Sequence, residues 1–229
     1  MQELRRVIAE SYFTLVFLIA AQVWTTVIAW SNRHKFSELK SFHYYPTSAL
    51  LQSILSLGSI LIISDFKKKV INPSLSLFLV IEFLLIYSFA FRTIVLKWDR
   101  IFLKFLFVFY CIYFLSMWAF SDAIQKYYQV FLIQAVVLLV PPVLYLFEIF
   151  KLPFSKPLTI QPAFWINVGI LFFFSSTIPL SILENYARHF ISQNHYLWSI
   201  TYVAYGTFFL LISKAYTCRP TTELGYSLS

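Results

Sequence analysis

The sequence is poor in glycine, cysteine and charged residues, and each shortage excludes a class of protein. Four glycines in 229 residues exclude the glycine-rich loops that hold phosphates in nucleotide-binding proteins. Two cysteines, Cys111 and Cys218, lie far apart in the chain and supply neither a disulfide framework nor a paired-cysteine metal site. Charged residues make up 12% of the chain, about half the share found in soluble domains. An ordinary soluble domain is therefore excluded.

Long apolar runs take up most of the chain instead, and 59% of the residues are hydrophobic. A helix that crosses a bilayer needs about 20 mostly apolar residues, and seven runs satisfy this requirement. We therefore predict an all-α, polytopic integral membrane protein with seven transmembrane helices in one domain. The predicted spans lie near residues 10–30, 47–64, 74–96, 101–122, 128–149, 162–183 and 197–215, and residues 216–229 form a short tail. The first run has no convincing signal-peptide cleavage site, so we expect it to be retained.

Basic residues give the chain a formal net charge of +8, and they occur in short clusters between the apolar runs. No segment is long and polar enough to bind nucleic acid, so the lipid bilayer is the expected partner. An external N-terminus assigns eleven of the 18 lysines and arginines to the cytoplasm, and the opposite orientation assigns seven. The positive-inside rule therefore predicts an external N-terminus and a cytoplasmic C-terminus, although Arg5, Arg6 and Lys67–Lys69 favour the reverse.

One carboxylic acid, Glu82, lies in the middle of the apolar run LFLVIEFLLIYSF. Helical rise places it about 5 Å to the outer side of the middle of its span. Polar residues from four other spans lie at about the same depth: Gln134, Ser59, Ser175, Ser176, Thr177 and Tyr202. Such a layer predicts a site for a small polar ligand, an ion or a proton in a cavity that opens outward.

A structural role for this polar layer stays open beside the functional one. Serine and threonine often bond back to carbonyls of their own helix, and Glu82 can stay protonated with one acceptor such as Gln134. A second polar group, Gln22, Gln52 and Asn167, lies toward the inner side. We expect these amide side chains to join neighbouring helices.

Three prolines interrupt predicted spans: Pro141 and Pro142 in the fifth and Pro179 in the sixth. Each removes a backbone donor, so we expect both helices to bend there, either as static kinks or as hinges. The four histidines fall in loops on opposite sides of the membrane, and no paired intramembrane aspartates or protease-type serine motif is present. We therefore expect no metal site and no cofactor, and nothing in the sequence indicates an enzyme.

The third, sixth and seventh spans resemble a group of bacterial seven-span proteins that occur alone or as the membrane module of sensor histidine kinases. The shared features are the glutamate of the third span, here Glu82, and a Phe-Trp pair followed by a small polar patch in the sixth. In this chain they are Phe164, Trp165 and Ser175–Thr177. The resemblance covers the order and length of all seven spans. It implies a sensory or receptor-like role and a cytoplasmic C-terminus in a bacterial cytoplasmic membrane.

Fifteen residues follow Lys214, and they contain no kinase domain. We therefore expect any output to pass to a separate protein, or the function of this group to be something other than kinase control. A protein partner or a homo-oligomer is the expected assembly. The first functional hypothesis is thus a receptor-like protein with an outward-facing polar layer. The second is an ion or small-solute transporter or channel that uses Glu82. The third is a structural or effector membrane subunit in which the polar layer joins helices.

Overall fold

The structure, a computed structural model, describes residues 2–35, 39, 42–61, 72–120, 123–151, 157–186 and 196–218. Side chains are described within 13–35, 42–56, 76–117, 129–151, 157–183 and 199–218, and at 39 and 74. All regular secondary structure in this part of the chain is helical, which confirms the predicted all-α class. The segment around His189 and His195, the tail beyond residue 218 and the side chain of Ser59 lie outside the described residues.

Each predicted span coincides with one described helix. Their bounds are α1 Gln2–Ser31, α2 Tyr44–Leu61, α3 Asn72–Thr93, α4 Lys97–Phe120, α5 Ala123–Lys151, α6 Pro162–Tyr186 and α7 Tyr196–Thr217. A short 3₁₀ helix, Leu158–Ile160, precedes α6. Pro162 begins α6, where a missing N–H costs no helical hydrogen bond. Both α5 and α6 continue as helices through their internal prolines, and the hinge role of those prolines stays a prediction.

Five described helices are long and apolar enough to cross a membrane. The segments are Phe13–Ser31, Ser76–Thr93, Lys97–Met117, Gln129–Lys151 and Pro162–Leu183. This places the chain among integral membrane proteins. Membrane crossing by α2 and α7, and with it the count of seven spans, stays a prediction.

The distribution of side chains between surface and interior agrees with a lipid environment. Large apolar residues are widely exposed, for example Phe13, Phe105, Ile112 and Phe150, whose exposed fractions exceed half. In water such a surface would drive aggregation, whereas lipid chains cover it without penalty. The buried residues include a polar set: Gln22, Thr25, His43, Gln52, Glu82, Gln134, Glu148, Asn167, Thr177 and Ser213.

Six of the seven described membrane-length or near-membrane-length helices form a closed ring, and the remaining one lies outside it. Around the ring the neighbours are α1, α7, α6, α5, α3 and α2, and α2 packs on α1 to close it. Helix α4 packs on α5 and α3 from outside and is the least buried of the five membrane-length segments. We call this arrangement the six-helix ring.

Hydrogen bonds connect the ends of several helices at one end of the bundle. Trp30 at the end of α1 donates to Thr47 of α2 over 2.8 Å. Glu148 near the end of α5 accepts from the backbone of Val95 in the α3–α4 turn over 2.8 Å. The described basic residues Arg33, Lys35, Arg92, Lys97, Arg100, Lys104, Lys151 and Lys214 are exposed and lie at these helix ends, which we call the basic end.

Two glycines of the ring, Gly169 and Gly206, differ in the space around them. A Cβ at Gly169 of α6 would lie 2.9 Å from Cδ2 of Phe208, which is fully buried and cannot move aside. A Cβ at Gly206 of α7 would lie 2.4 Å from Cε1 of Phe17, whose ring is 37% exposed and free to rotate toward lipid. The α6–α7 contact therefore depends more strictly on glycine.

We expect Gly169→Ala to lower the stability of the purified protein by about 1 kcal/mol, because overpacking a fixed core outweighs the higher helix propensity of alanine. The matched variant Gly206→Ala should be neutral or slightly stabilising. Thermal unfolding in detergent measures both. A larger loss for Gly206→Ala than for Gly169→Ala would contradict this packing.

Candidate functional site

Glu82 lies inside the six-helix ring on the buried face of α3. Its side chain is 2% exposed, and Leu79, Phe83 and Ile86 of the same face are also buried. The Tyr45 hydroxyl of α2 donates to Oε1 over 2.8 Å. Nε2 of Gln134 in α5 donates to Oε2 over 3.1 Å. Each carboxyl oxygen therefore has one neutral donor, and the two donors come from different helices.

Two further bonds determine the orientation of the Gln134 amide. Nε2 also donates to the backbone oxygen of Leu79 over 3.1 Å, and Oε1 accepts from the Tyr110 hydroxyl of α4 over 2.5 Å. Because the amide oxygen is occupied by a donor, the amide nitrogen must face Glu82. Tyr45, Glu82, Tyr110 and Gln134 form what we call the Glu82 network, which joins α2, α3, α4 and α5.

Aromatic packing holds both tyrosines of this network in place. Tyr45 stacks on Phe42 at 5.3 Å and lies 6.0 Å from Phe209 of α7, measured between ring centroids. Tyr110 lies 4.0 Å from Phe83. Rings fixed in this way direct their hydroxyls toward the interior at a small loss of side-chain entropy.

The network extends toward α7 and α1. The hydroxyls of Tyr45 and Tyr205 are 3.5 Å apart. Helices α1 and α7 run in the same direction, since Phe17 lies against Gly206 and the hydroxyl of Thr25 donates to Phe209 O over 2.8 Å. The two turns of α1 between Phe17 and Thr25 therefore lie along the part of α7 that contains Gly206 and Phe209.

Gln22 lies in α1 between Phe17 and Thr25. It is fully buried, and neither Nε2 nor Oε1 of its amide has a hydrogen-bond partner in the described structure. A buried amide without partners costs several kcal/mol, about 1 to 3 by mutational measures. The Gln22 amide therefore does not join α1 to another helix, as was expected of it. Its two donors and its acceptor remain for another molecule.

Four other residues of the predicted polar layer make no described hydrogen bond to the Glu82 network: Ser175, Ser176, Thr177 and Tyr202. Ser176 and Thr177 donate to Phe172 O and Phe173 O of their own helix over 2.8 and 3.0 Å. Ser175 is exposed and Tyr202 is half-buried. The α7 tyrosine nearest to the network is instead Tyr205, three residues further along.

Two of the inner amides also bond locally. Nε2 of Gln52 donates to Ser56 Oγ over 3.2 Å, and Nδ2 of Asn167 donates to Ala163 O over 2.8 Å. Both acceptors lie in the same helix as the donor, one turn away. These side chains therefore do not connect the Glu82 network to the basic end.

A second buried acid, Glu148, was not identified from the sequence. Its side chain is 1% exposed, and its oxygens accept from the backbone N–H groups of Val95 and Leu96 over 2.8 and 2.7 Å. These groups precede α4 and have no helical partner, so an acid there satisfies them and complements the positive end of the helix dipole. Nε of Arg100 secures the same turn by donating to Ile94 O over 2.6 Å.

Glu148 was missed because it lies near the end of the fifth predicted span, where an acid usually faces water. The short turn between α3 and α4 was the feature that could have indicated the role of Glu148 as a hydrogen-bond acceptor. This turn is only three residues long, and such a turn leaves the first backbone N–H groups of the second helix without acceptors.

Among the described residues, no three or more histidine, cysteine, aspartate and glutamate side chains lie together as metal ligands. Comparison with known proteins gives no match to a family model, a curated protein or a solved structure. The function is therefore argued from the geometry of the Glu82 network.

We expect Tyr45→Phe to lower the stability of the purified protein by about 1 kcal/mol, because it removes a buried hydrogen bond to Glu82. Glu82→Leu should cost more, since it leaves both Tyr45 and Gln134 without their acceptor. The matched control is Tyr202→Phe, which removes a hydroxyl of α7 outside the network and should change little. Thermal unfolding in detergent ranks the three, and equal losses for Tyr45→Phe and Tyr202→Phe would contradict the assignment.

We expect Glu148→Gln to cost about 2 kcal/mol, because one carboxylate oxygen is replaced by an NH₂ group that faces a backbone N–H. Hydrogen–deuterium exchange should become faster at the amides of Val95 and Leu96. Asp99→Asn alters the half-buried acid of the same region and serves as the control. Unchanged exchange in Glu148→Gln would show that the carboxylate does not hold this turn.

Proposed function

We propose that this chain is a receptor-like, sensory membrane protein in which the Glu82 network links two groups of helices. The first group is α3, α4 and α5, and the second is α1, α2 and α7. A ligand or proton that changes the link between them changes their relative position. A separate protein, or another copy of the chain, then receives that change.

The observation that carries this proposal is that the Glu82 carboxyl is hydrogen-bonded to a residue of each group of helices. Within the first group, Gln134 bonds to Glu82 and Tyr110, and Glu148 bonds to the α3–α4 turn. Within the second group, Thr25 donates to Phe209 O. The bond from Tyr45 to Glu82 crosses between the groups in a medium without competing water. Its loss therefore weakens the connection between two internally bonded groups.

The local bonding of the other polar side chains favours a sensor over a transporter. A transport path needs polar groups that continue from Glu82 toward both surfaces. Gln52 and Asn167 instead bond within their own helices, as do Ser176 and Thr177. Glu82 is therefore hydrogen-bonded to neighbouring helices but enclosed within the bundle.

Gln22 indicates the chemistry of the ligand and the helices that receive it. Its amide is buried and has no partner in the described structure, and the residue lies in the part of α1 that packs along α7. A small neutral molecule with both a donor and an acceptor would satisfy this amide and reach the Tyr205 and Tyr45 hydroxyls. We place the ligand between α1, α2 and α7.

The orientation and the family resemblance support the same function. An external N-terminus puts the basic end in the cytoplasm, where a partner protein receives the signal. The resemblance to membrane modules of sensor kinases rests on Glu82 in the third span and on the Phe164–Trp165 pair in the sixth. The membrane orientation and the family resemblance are both part of the proposal.

We expect a member of a panel of small neutral polar solutes to raise the unfolding temperature of the wild-type protein. Gln22→Leu and Tyr45→Phe should abolish this increase, because they remove the amide and the hydroxyl that would contact the solute. Tyr202→Phe should retain it. Thermal unfolding in detergent, with and without each solute, gives the comparison.

Reconstituted vesicles separate the competing functions. Uptake of the stabilising solute, or of a cation, above that of empty vesicles, and its loss in Glu82→Gln, would replace the sensory proposal with a transporter. If no solute stabilises the wild type and no uptake occurs, the network has a structural role.

A further inference from the structure

Helix α4 combines an apolar stripe with basic residues on its exposed side. Seven residues of this helix share one face and are exposed: Lys97, Ile101, Lys104, Phe105, Val108, Ile112 and Leu115. Because α4 lies outside the six-helix ring, no described helix covers this face. Its apolar part is long enough for two to three helical turns of contact with a hydrocarbon chain.

Three cations cluster at the first two turns of α4. Lys97, Arg100 and Lys104 are all exposed, and Trp98 beside them is 80% exposed. Helical side chains lean toward the N-terminus, so the Lys104 ammonium extends toward the level of Arg100 and Lys97. Tryptophan favours the headgroup layer of a bilayer. The cations therefore meet at headgroup depth, directly above the apolar stripe.

Few described negative charges neutralise this cluster. Asp99 is half-buried in the first turn of α4, and Glu148 is buried with its oxygens bonded to Val95 N and Leu96 N. One donor of Arg100 is bonded to Ile94 O, which holds the residue beside Lys97 and leaves its other guanidinium N–H groups for an acceptor. The local field at this end of α4 is therefore positive.

We propose that α4 carries a binding site for an anionic glycerophospholipid. Its phosphate contacts Lys97, Arg100 and Lys104, and one acyl chain lies along Phe105, Val108 and Ile112. The charges match an anionic headgroup, and the stripe below them continues into the region of lipid chains. A soluble anion would match the cations alone and would leave the apolar stripe unused. This inference does not depend on the sensory function proposed above.

The test uses the full-length protein in a zwitterionic detergent, with dioleoylphosphatidylglycerol or dioleoylphosphatidylcholine added. Native mass spectrometry measures bound lipid, and thermal unfolding measures stabilisation. We expect phosphatidylglycerol to bind the wild type and raise its unfolding temperature more than phosphatidylcholine does. The double variant Lys97→Gln/Lys104→Gln should bind phosphatidylglycerol about tenfold more weakly, because each cation at the headgroup level contributes to lipid attraction. Arg100 stays unchanged in this variant because it also holds the α3–α4 turn.

Two matched variants control for net charge and for folding. Arg33→Gln/Lys35→Gln removes the same charge from another part of the basic end and should keep wild-type binding. Lys97→Arg/Lys104→Arg keeps the charge and should bind phosphatidylglycerol as the wild type does. Equal binding of phosphatidylglycerol by Lys97→Gln/Lys104→Gln and the wild type would overturn the proposal. Equal weakening by Arg33→Gln/Lys35→Gln would also overturn it, because net charge alone would then explain binding.

Inorganic phosphate and glycerol phosphate distinguish a lipid from a free anion. Neither should raise the unfolding temperature as phosphatidylglycerol does, because neither contacts the apolar stripe. Stabilisation by inorganic phosphate equal to that by phosphatidylglycerol would overturn the lipid assignment. Val108→Ser/Ile112→Ser should weaken phosphatidylglycerol binding while the cations remain in place.

Discussion

The hydrogen bonds to the buried carboxyl of Glu82 constrain the rest of the helix bundle. A carboxyl group inside a membrane protein has no water to solvate it, so every oxygen needs a donor from the protein. Tyr45 and Gln134 supply one donor each, at 2.8 and 3.1 Å. Because these donors belong to α2 and α5, the carboxyl sets the relative height of both helices against α3. Tyr110 then ties α4 to the same level.

A second buried carboxyl makes the α3–α4–α5 group rigid along its length. Gln134 and Glu148 lie on the same helix about 21 Å apart along its axis. The first bonds to the middle of α3, and the second bonds to the turn that follows α3. Two points of attachment prevent both sliding and rotation of one helix against the other. In the proposed sensory function, this rigidity would let a change at Glu82 move a group of helices rather than one side chain.

The proximity of Glu82 and Gln134 was predictable from their depth in the predicted spans alone. Glu82 interrupts an apolar run, and Gln134 lies at a matching depth in another span, so their proximity follows from helical rise. The tyrosines were not predictable, since the chain has 15 of them and a tyrosine suits lipid interfaces as well as interiors. Thr177 matched the depth of the layer but bonds to its own helix, because a short hydroxyl reaches the preceding turn more easily than a neighbouring helix.

The helical class, the approximate limits of the helices and the membrane environment are all predictable from the amino-acid sequence. These properties depend on the length and composition of single segments, which the backbone must satisfy with internal hydrogen bonds in lipid. Which helices are neighbours depends on tertiary contacts: among the described helices, six close a ring and α4 lies outside it. The tertiary structure also decided that Glu148 faces a turn and that Gln22 is enclosed without a partner. These features depend on contacts between distant segments, so the composition of a single helix does not predict them.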